Sequence, residues 1–155
     1  MNHPLRAGIA GFGVVGKRRR EVIDQRDDMQ TVAVCDRTLA GNGTFDDGVR
    51  FFDTYQGLLG EDLDVLFVCM SNDIAAEVSI AGLNAGLHVF CEKPPARDVA
   101  ETQAVIDCHA GKSGQKLKYG FNHRYHDSVQ DALAILRSGE LGKVINLRGV
   151  YGKSQ

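Results

Sequence analysis

The sequence predicts an α/β fold, a doubly wound parallel sheet covered by helices on both faces, and three observations carry that prediction. Short apolar runs of strand length alternate along the chain with amphipathic helical segments. The first of these runs ends in a glycine-rich turn that opens a helix. No internal repeat or low-complexity tract interrupts the alternation.

The first element is the stretch 5–16, Leu-Arg-Ala-Gly-Ile-Ala-Gly-Phe-Gly-Val-Val-Gly, an apolar strand followed by G-x-G-x-x-G at Gly11, Gly13 and Gly16. Each glycine has its own task. Gly11 permits the tight turn, Gly13 lets backbone approach a pyrophosphate, and Gly16 lets the following helix, about 14–25, pack closely on its strand. Later strands are expected at 31–35, 65–70, His88–Cys91 and 116–121, with a weaker one at Arg50–Phe52. Between them a helix over 74–85 stops at Gly86, and Val99–Ala110 follows Asp98, with Glu101 three residues on as in a capping box.

The last third changes character. Asp127 begins a further capped helix to Ser138, Gly139-Glu140-Leu141-Gly142 turns the chain, and 144–151 alternates as a strand. The expected division is a dinucleotide-binding domain over 1–121, then the connecting helix and first strand of a truncated second α+β domain over 122–155. The other reading of 144–151 is an edge strand of the first sheet.

The chemistry begins at the glycine loop. Gly11, Phe12, Gly13, Val14, Val15 and Gly16 form a candidate pyrophosphate cradle, because the unpaired N–H groups and positive end of the following helix favour negative charge. Asp36 closes the run 31–35 and lies 20 residues past the third glycine, where a carboxylate accepts hydrogen bonds from an adenosine ribose. It should repel a 2′-phosphate and favour NAD over NADP, whereas Arg37 could stack on adenine or receive that phosphate.

Composition bounds the alternatives. Hydrophobic content of 43%, charged content of 25% and a net charge of −2 describe an ordinary globular chain with no electrostatic case for nucleic acid. The basic run Lys17, Arg18, Arg19, Arg20 on the first helix reads as a solvated face. Cys35, Cys69, Cys91 and Cys108 form no C-x-x-C pair and read as buried thiols of a reduced, cytoplasmic protein, with no metal site. Cys91 lies beside the candidate active site, where packing is the preferred role over reactivity. No apolar segment approaches the roughly 20 residues needed to span a bilayer.

Five motifs in order now carry a resemblance: the glycine loop, Asp36, the segment Val68-Cys69-Met70-Ser71-Asn72-Asp73, the strand-ending Glu92-Lys93-Pro94, and Gly120-Phe121-Asn122-His123-Arg124-Tyr125. The chain resembles the Gfo/Idh/MocA oxidoreductases over essentially its whole length. The resemblance implies a Rossmann domain followed by an open-sheet domain, and oxidation or reduction of sugars, nucleotide-sugars, inositols or other polyols with NAD or NADP. It implies that Lys93 is the catalytic lysine near the nicotinamide and the reacting hydroxyl, with Glu92 beside it and Pro94 following a cis bond. Met70, Ser71 and Asn72 are implied at the cofactor, and Asn122 and Arg124 on the nicotinamide or substrate side, with loop anchoring as their alternative.

One departure stands out. Where many members read Thr-Pro-Asn-x-x-His, this chain has Met70, Ser71 and, at the histidine position, Ala75, so that histidine's contact is absent. His123 and His126 match no metal-site spacing. The resemblance also places the proton-accepting histidine in the second domain, so this chain is expected to bind cofactor without full activity, and a homo-oligomer is possible for a full-length protein. A non-catalytic dinucleotide-binding or regulatory module is the alternative, disfavoured by the intact Glu92-Lys93-Pro94.

Overall fold

The computed structural model describes residues 3–150 and 152. In chain order these form β1 (Leu5–Ala10), α1 (Val14–Asp24), β2 (Met29–Cys35), β3 (Gly43–Thr44), β4 (Arg50–Phe52), α2 (Tyr55–Leu59), β5 (Val65–Val68), α3 (Asn72–Asn84), β6 (His88–Cys91), α4 (Val99–Ala110), β7 (Leu117–Tyr119), a 3₁₀ turn at Asn122–Tyr125 and α5 (Asp127–Ser138). Internal contacts divide the chain into two units, Met1–Gly120 and Phe121–Gln155.

The first unit holds one seven-stranded sheet in the order β3-β4-β2-β1-β5-β6-β7. Every pairing is parallel except that of β3 with β4. Parallel strands need crossovers, which the helices supply. Side chains alternate across the pleat. Ala7 and Ile9 of β1, Val34 of β2 and Val65 of β5 enter one buried cluster with Ile23 of α1. Ala10, Ala33, Cys35, Leu66 and Val68 enter the other, against Leu58 of α2, Val78 and Leu83 of α3 and Val105 of α4. Both faces are therefore covered, as the near-continuous apolar strands require.

The helix ends follow local chemistry. Asp98 accepts a hydrogen bond from Glu101 N–H at 2.9 Å, as a capping residue should, while the Glu101 side chain returns to the N–H of Arg97 at 2.9 Å. Gly86 has φ +89°, the left-handed conformation expected beyond the end of α3. That helix starts at Asn72, two residues before the apolar periodicity begins, and Ser71 is its flanking residue.

Several expectations needed correction. The run Lys17–Arg20 is not uniformly solvated, for Arg19 pairs with Glu92 and Arg20 with Asp24 and Asp47. Helix α5 begins at Asp127 as expected but lacks the expected cap, since His126 flanks it without a side-chain capping bond. The strand expected over 144–151 is absent from 144–150, and Tyr151 lies outside the described residues. Ile145 is 94% and Val150 91% exposed. An extended segment needs a ladder partner, and the described residues of the second unit contain no strand to provide one.

Candidate functional site

The carboxyl ends of β2, β1, β5, β6 and β7 form a continuous edge, closed by successive hydrogen bonds. Gly11 N–H donates to Cys35 O at 2.9 Å, Cys69 N–H to Ala10 O at 2.7 Å, Glu92 N–H to Val68 O at 2.8 Å and Gly120 N–H to Cys91 O at 2.9 Å. The chain runs outward from β1 to β2 and β4, then returns to β5 on the other side of β1. The crevice beyond β1 is thus the topological switch point, the place where open α/β sheets bind ligands.

The three glycines at that point differ in what surrounds them. Gly11 has φ +92°, and a Cβ there would lie 2.6 Å from Cys69 O, so both conformation and space exclude a side chain. At Gly16 a Cβ would lie 2.0 Å from Gly11 O and 3.3 Å from Ile9 Cγ2, which is the close helix-to-strand packing. At Gly13 nothing lies within 4 Å. That open space, facing the N-terminus of α1, fits a pyrophosphate group held by backbone N–H donors.

Asp36 sits one strand away and is tied to the same loop. Its Oδ2 accepts from Phe12 N–H at 2.8 Å, and Oδ1 accepts from Thr38 N–H at 3.0 Å and the Thr38 hydroxyl at 2.7 Å. Burial works against its ionisation, but the bonds from Thr38 and Phe12 and the charge of Arg37 outweigh that and hold its carboxyl below the ordinary range.

A cavity of about 560 Å³ opens here. It is lined by Gly11, Gly13, Asp36, Arg37, Met70 and Ser71, all expected at the cofactor. It is also lined by Asp53, Thr54, Tyr55 and Gln56 after β4, and by Cys69, Asp73, Ile74 and Glu77 around the start of α3. Sequence reasoning missed this second set, although the weak strand Arg50–Phe52 already implied a loop at the same edge. Tyr55 donates its hydroxyl to Glu77 Oε1, which raises the phenol pKa. The neighbouring Ser71 hydroxyl and the backbone at the start of α3 hold Asp73 low. The lining thus presents four carboxylates against the single cation of Arg37.

On the other side of the glycine loop, β6 delivers Glu92, Lys93 and Pro94. The Lys93–Pro94 peptide is cis. Lys93 is exposed and outside the cavity lining. Glu92 pairs with Arg19, and a Cβ at Gly120 would meet Glu92 Oε2 at 2.8 Å, so a glycine there leaves the carboxylate its room. Phe12, Val14, Val15, Gly16, Asn72, Glu92 and Pro94 also lie at this edge without lining the cavity. Asn122 and Arg124 belong to the second unit, on its exposed 3₁₀ turn.

The thiols Cys35, Cys69 and Cys91 are not poised for chemistry. Burial raises Cys35 to about 11, and burial with the Glu92 charge raises Cys69 to about 12. Cys91 is fully buried and its thiol is likewise pushed up by desolvation. Ala75, at the position of the absent histidine, is buried in the core beneath α3. Among the described residues no group of histidine, cysteine and carboxylate side chains could hold a metal, and no helix is long and apolar enough to cross a membrane.

A switch-point crevice with this glycine loop, a helix N-terminus and an adjoining strand-end carboxylate defines a dinucleotide-binding α/β domain. The chain belongs to the Gfo/Idh/MocA family: residues 5–121 match the model described as "Oxidoreductase family, NAD-binding Rossmann fold". The domain is thus an NAD-binding Rossmann domain by family. Among its relatives, inositol 2-dehydrogenase of Salmonella typhimurium is 32% identical over 151 residues, covering 94% of this chain and 45% of that protein. D-glucoside 3-dehydrogenase of Escherichia coli is 34% identical over 151 residues, covering 91% and 41%. Crystallographic myo-inositol 2-dehydrogenase from Lactobacillus plantarum superposes with a TM-score of 0.77 at 28% identity, over 92% of this chain and 43% of that one. The chain spans less than half the length of these relatives.

Proposed function

We propose that this chain is the cofactor-binding part of an NAD-dependent dehydrogenase acting on the secondary alcohol of a sugar, nucleotide-sugar or polyol. The observation that carries the proposal is the junction of Gly11–Gly16 with Asp36: an open cradle at a helix N-terminus, hydrogen-bonded through Phe12 N–H to a carboxylate kept ionised. The inositol and glucoside dehydrogenases among the relatives support the substrate class.

In this reading the backbone of Gly11, Phe12, Gly13, Val14 and Val15 holds the pyrophosphate, with Gly16 setting the helix close behind it. Asp36 accepts hydrogen bonds from the adenosine ribose, Arg37 lies against the adenine, and Met70, Ser71 and Asn72 line the pocket. The carboxylates Asp36, Asp53, Asp73 and Glu77 oppose a 2′-phosphate, which favours NAD over NADP. When bound, NAD would supply the hydride acceptor for oxidation at the carbinol carbon. Lys93, flanked by Glu92 and Pro94, orients and polarises the substrate oxygen from the carboxyl end of β6. Asn122 and Arg124 serve the nicotinamide or substrate side. We place residues 122–155 at the start of a substrate domain. The proton acceptor lies in further chain, so this fragment binds cofactor and turns over slowly if at all, because correctly placed acid–base groups contribute about 10²–10⁴-fold. The set of thiols without disulfides supports a cytoplasmic location.

The test is calorimetric titration with NAD and NADP, wild type beside Asp36→Ala. Saturable NAD binding, tighter than NADP and weakened by the substitution, is expected. Tighter NADP binding overturns the cofactor preference, and no binding of either overturns the fragment's assigned role.

A further inference from the structure

The basic run of α1 supplies a residue that the cofactor reading leaves unused. Arg19 reaches from α1 to the end of β6, where its Nε donates to Glu92 Oε1 at 2.7 Å and a terminal nitrogen donates to the same oxygen. Its guanidinium carbon lies 4.9 Å from the centroid of the Phe90 ring, so the cation is held by an aromatic face as well as by a carboxylate. Only 13% of the Glu92 side chain and 32% of the Arg19 side chain remain exposed. Space for the second carboxylate oxygen is left by Gly120, where any Cβ would intrude to 2.8 Å. Glu92 is thus confined by Arg19 of α1 and by Gly120 beyond the end of β7, with Phe90 of β6 holding the cation. A carboxylate taken this far out of water is not stable in place without its cation.

We propose that Arg19 is a positioning residue for the nicotinamide half of the site. By fixing Glu92 it fixes the backbone that leaves β6, and so sets where Lys93 stands; the inference rests on the cofactor reading above. The placement explains why only one half should respond. Asp36 is at the end of β2 and Lys93 just beyond β6, three strand spacings apart across β1 and β5, or about 14 Å at roughly 4.8 Å each. Neither Arg19 nor Glu92 lines the cavity around Asp36. The adenosine half has its own supports in Phe12, Thr38 and the α3 start, none of them hydrogen-bonded to Arg19, although Cys69 in its lining feels the charges of Arg19 and Glu92.

The experiment compares two probes on the 155-residue chain: NADH, followed by nicotinamide fluorescence, and ADP-ribose, followed by calorimetry. Arg19→Gln is expected to weaken NADH binding by about tenfold and to leave ADP-ribose within about twofold. Arg19→Lys should recover part of the loss, since it keeps the charge without the planar fork. An equal loss for both probes overturns the proposal, because Arg19 would then merely hold α1 and its glycine loop. No change for either probe overturns it too. If Arg19→Gln fails to fold by circular dichroism, Glu92→Gln gives the same readout, with the same selective loss expected and an equal loss refuting. Wild type binding neither probe defeats the cofactor reading itself; wild type binding both, with NADH untouched by Arg19→Gln, defeats only this inference.

Discussion

Gly13 and Gly16 stand three residues apart in one motif, yet the structure assigns their substitution opposite consequences. A Cβ at Gly16 would lie 2.0 Å from the Gly11 carbonyl oxygen and 3.3 Å from Ile9 Cγ2. Ordinary contacts between heavy atoms begin near ~3.5 Å, so α1 would have to retreat from β1 by roughly 1.5 Å. The obstacle is backbone, not the end of a flexible side chain, so the cost falls at the upper end of overpacking, about 3 kcal/mol. For a chain of this size that lowers Tm by roughly 6–12 °C. At Gly13 nothing lies within 4 Å, and its φ of −74° and ψ of −158° are open to alanine. Gly13→Ala should therefore cost no more than about 1 kcal/mol, as a glycine-to-alanine change at the residue flanking a helix start, and move Tm by less than about 4 °C. Its methyl group would instead fill the space in which backbone N–H groups meet a pyrophosphate, and NAD affinity should fall at least about tenfold. Thermal melts by circular dichroism and NAD calorimetry on both variants decide the matter. A Gly16→Ala chain that melts like wild type, or a Gly13→Ala chain that binds NAD like wild type, refutes the division of labour.

Two further outcomes follow from the ionisable groups. Asp36 has a folded pKa below its unfolded value of about 3.9, so its contribution to stability is present above that value and disappears as pH falls through the folded one. The Tm difference between wild type and Asp36→Asn should hold from pH 7 to about 5 and shrink below about pH 4; a difference unchanged at pH 3 contradicts the assignment. Cys35 and Cys69, raised to about 11 and about 12, carry at pH 8 a thiolate fraction of roughly one in a thousand or less. Treatment of the native chain with a thiol-specific disulfide reagent, mapped by mass spectrometry, should leave Cys35, Cys69 and Cys91 unmodified until denaturant is added. Rapid native labelling of Cys91 would restore the reactive role set aside for it.

The local grammar was legible from the residues alone: β4, β6, α4 and α5 have the bounds their periodicity implies, and the glycine loop with Asp36 identifies the crevice. These features depend on neighbours within a few positions, through turn conformation, capping and the alternation of side chains. Elements without such a local signature were not legible. β3 is two residues long, and 144–150 has strand periodicity but no partner, because pairing is settled by which chain lies alongside. The strand order placed Asp53, Tyr55, Asp73 and Glu77 around Asp36, across intervals that sequence spacing does not measure. The same holds for Arg19. In sequence it is one of four consecutive cations on a helix face; in the folded chain it is 73 residues from Glu92 and bonded to it. Periodicity determines which face of an element is apolar, but only the parallel stacking of β1, β5 and β6 brings that arginine to that carboxylate, because long-range proximity is a property of the packed sheet.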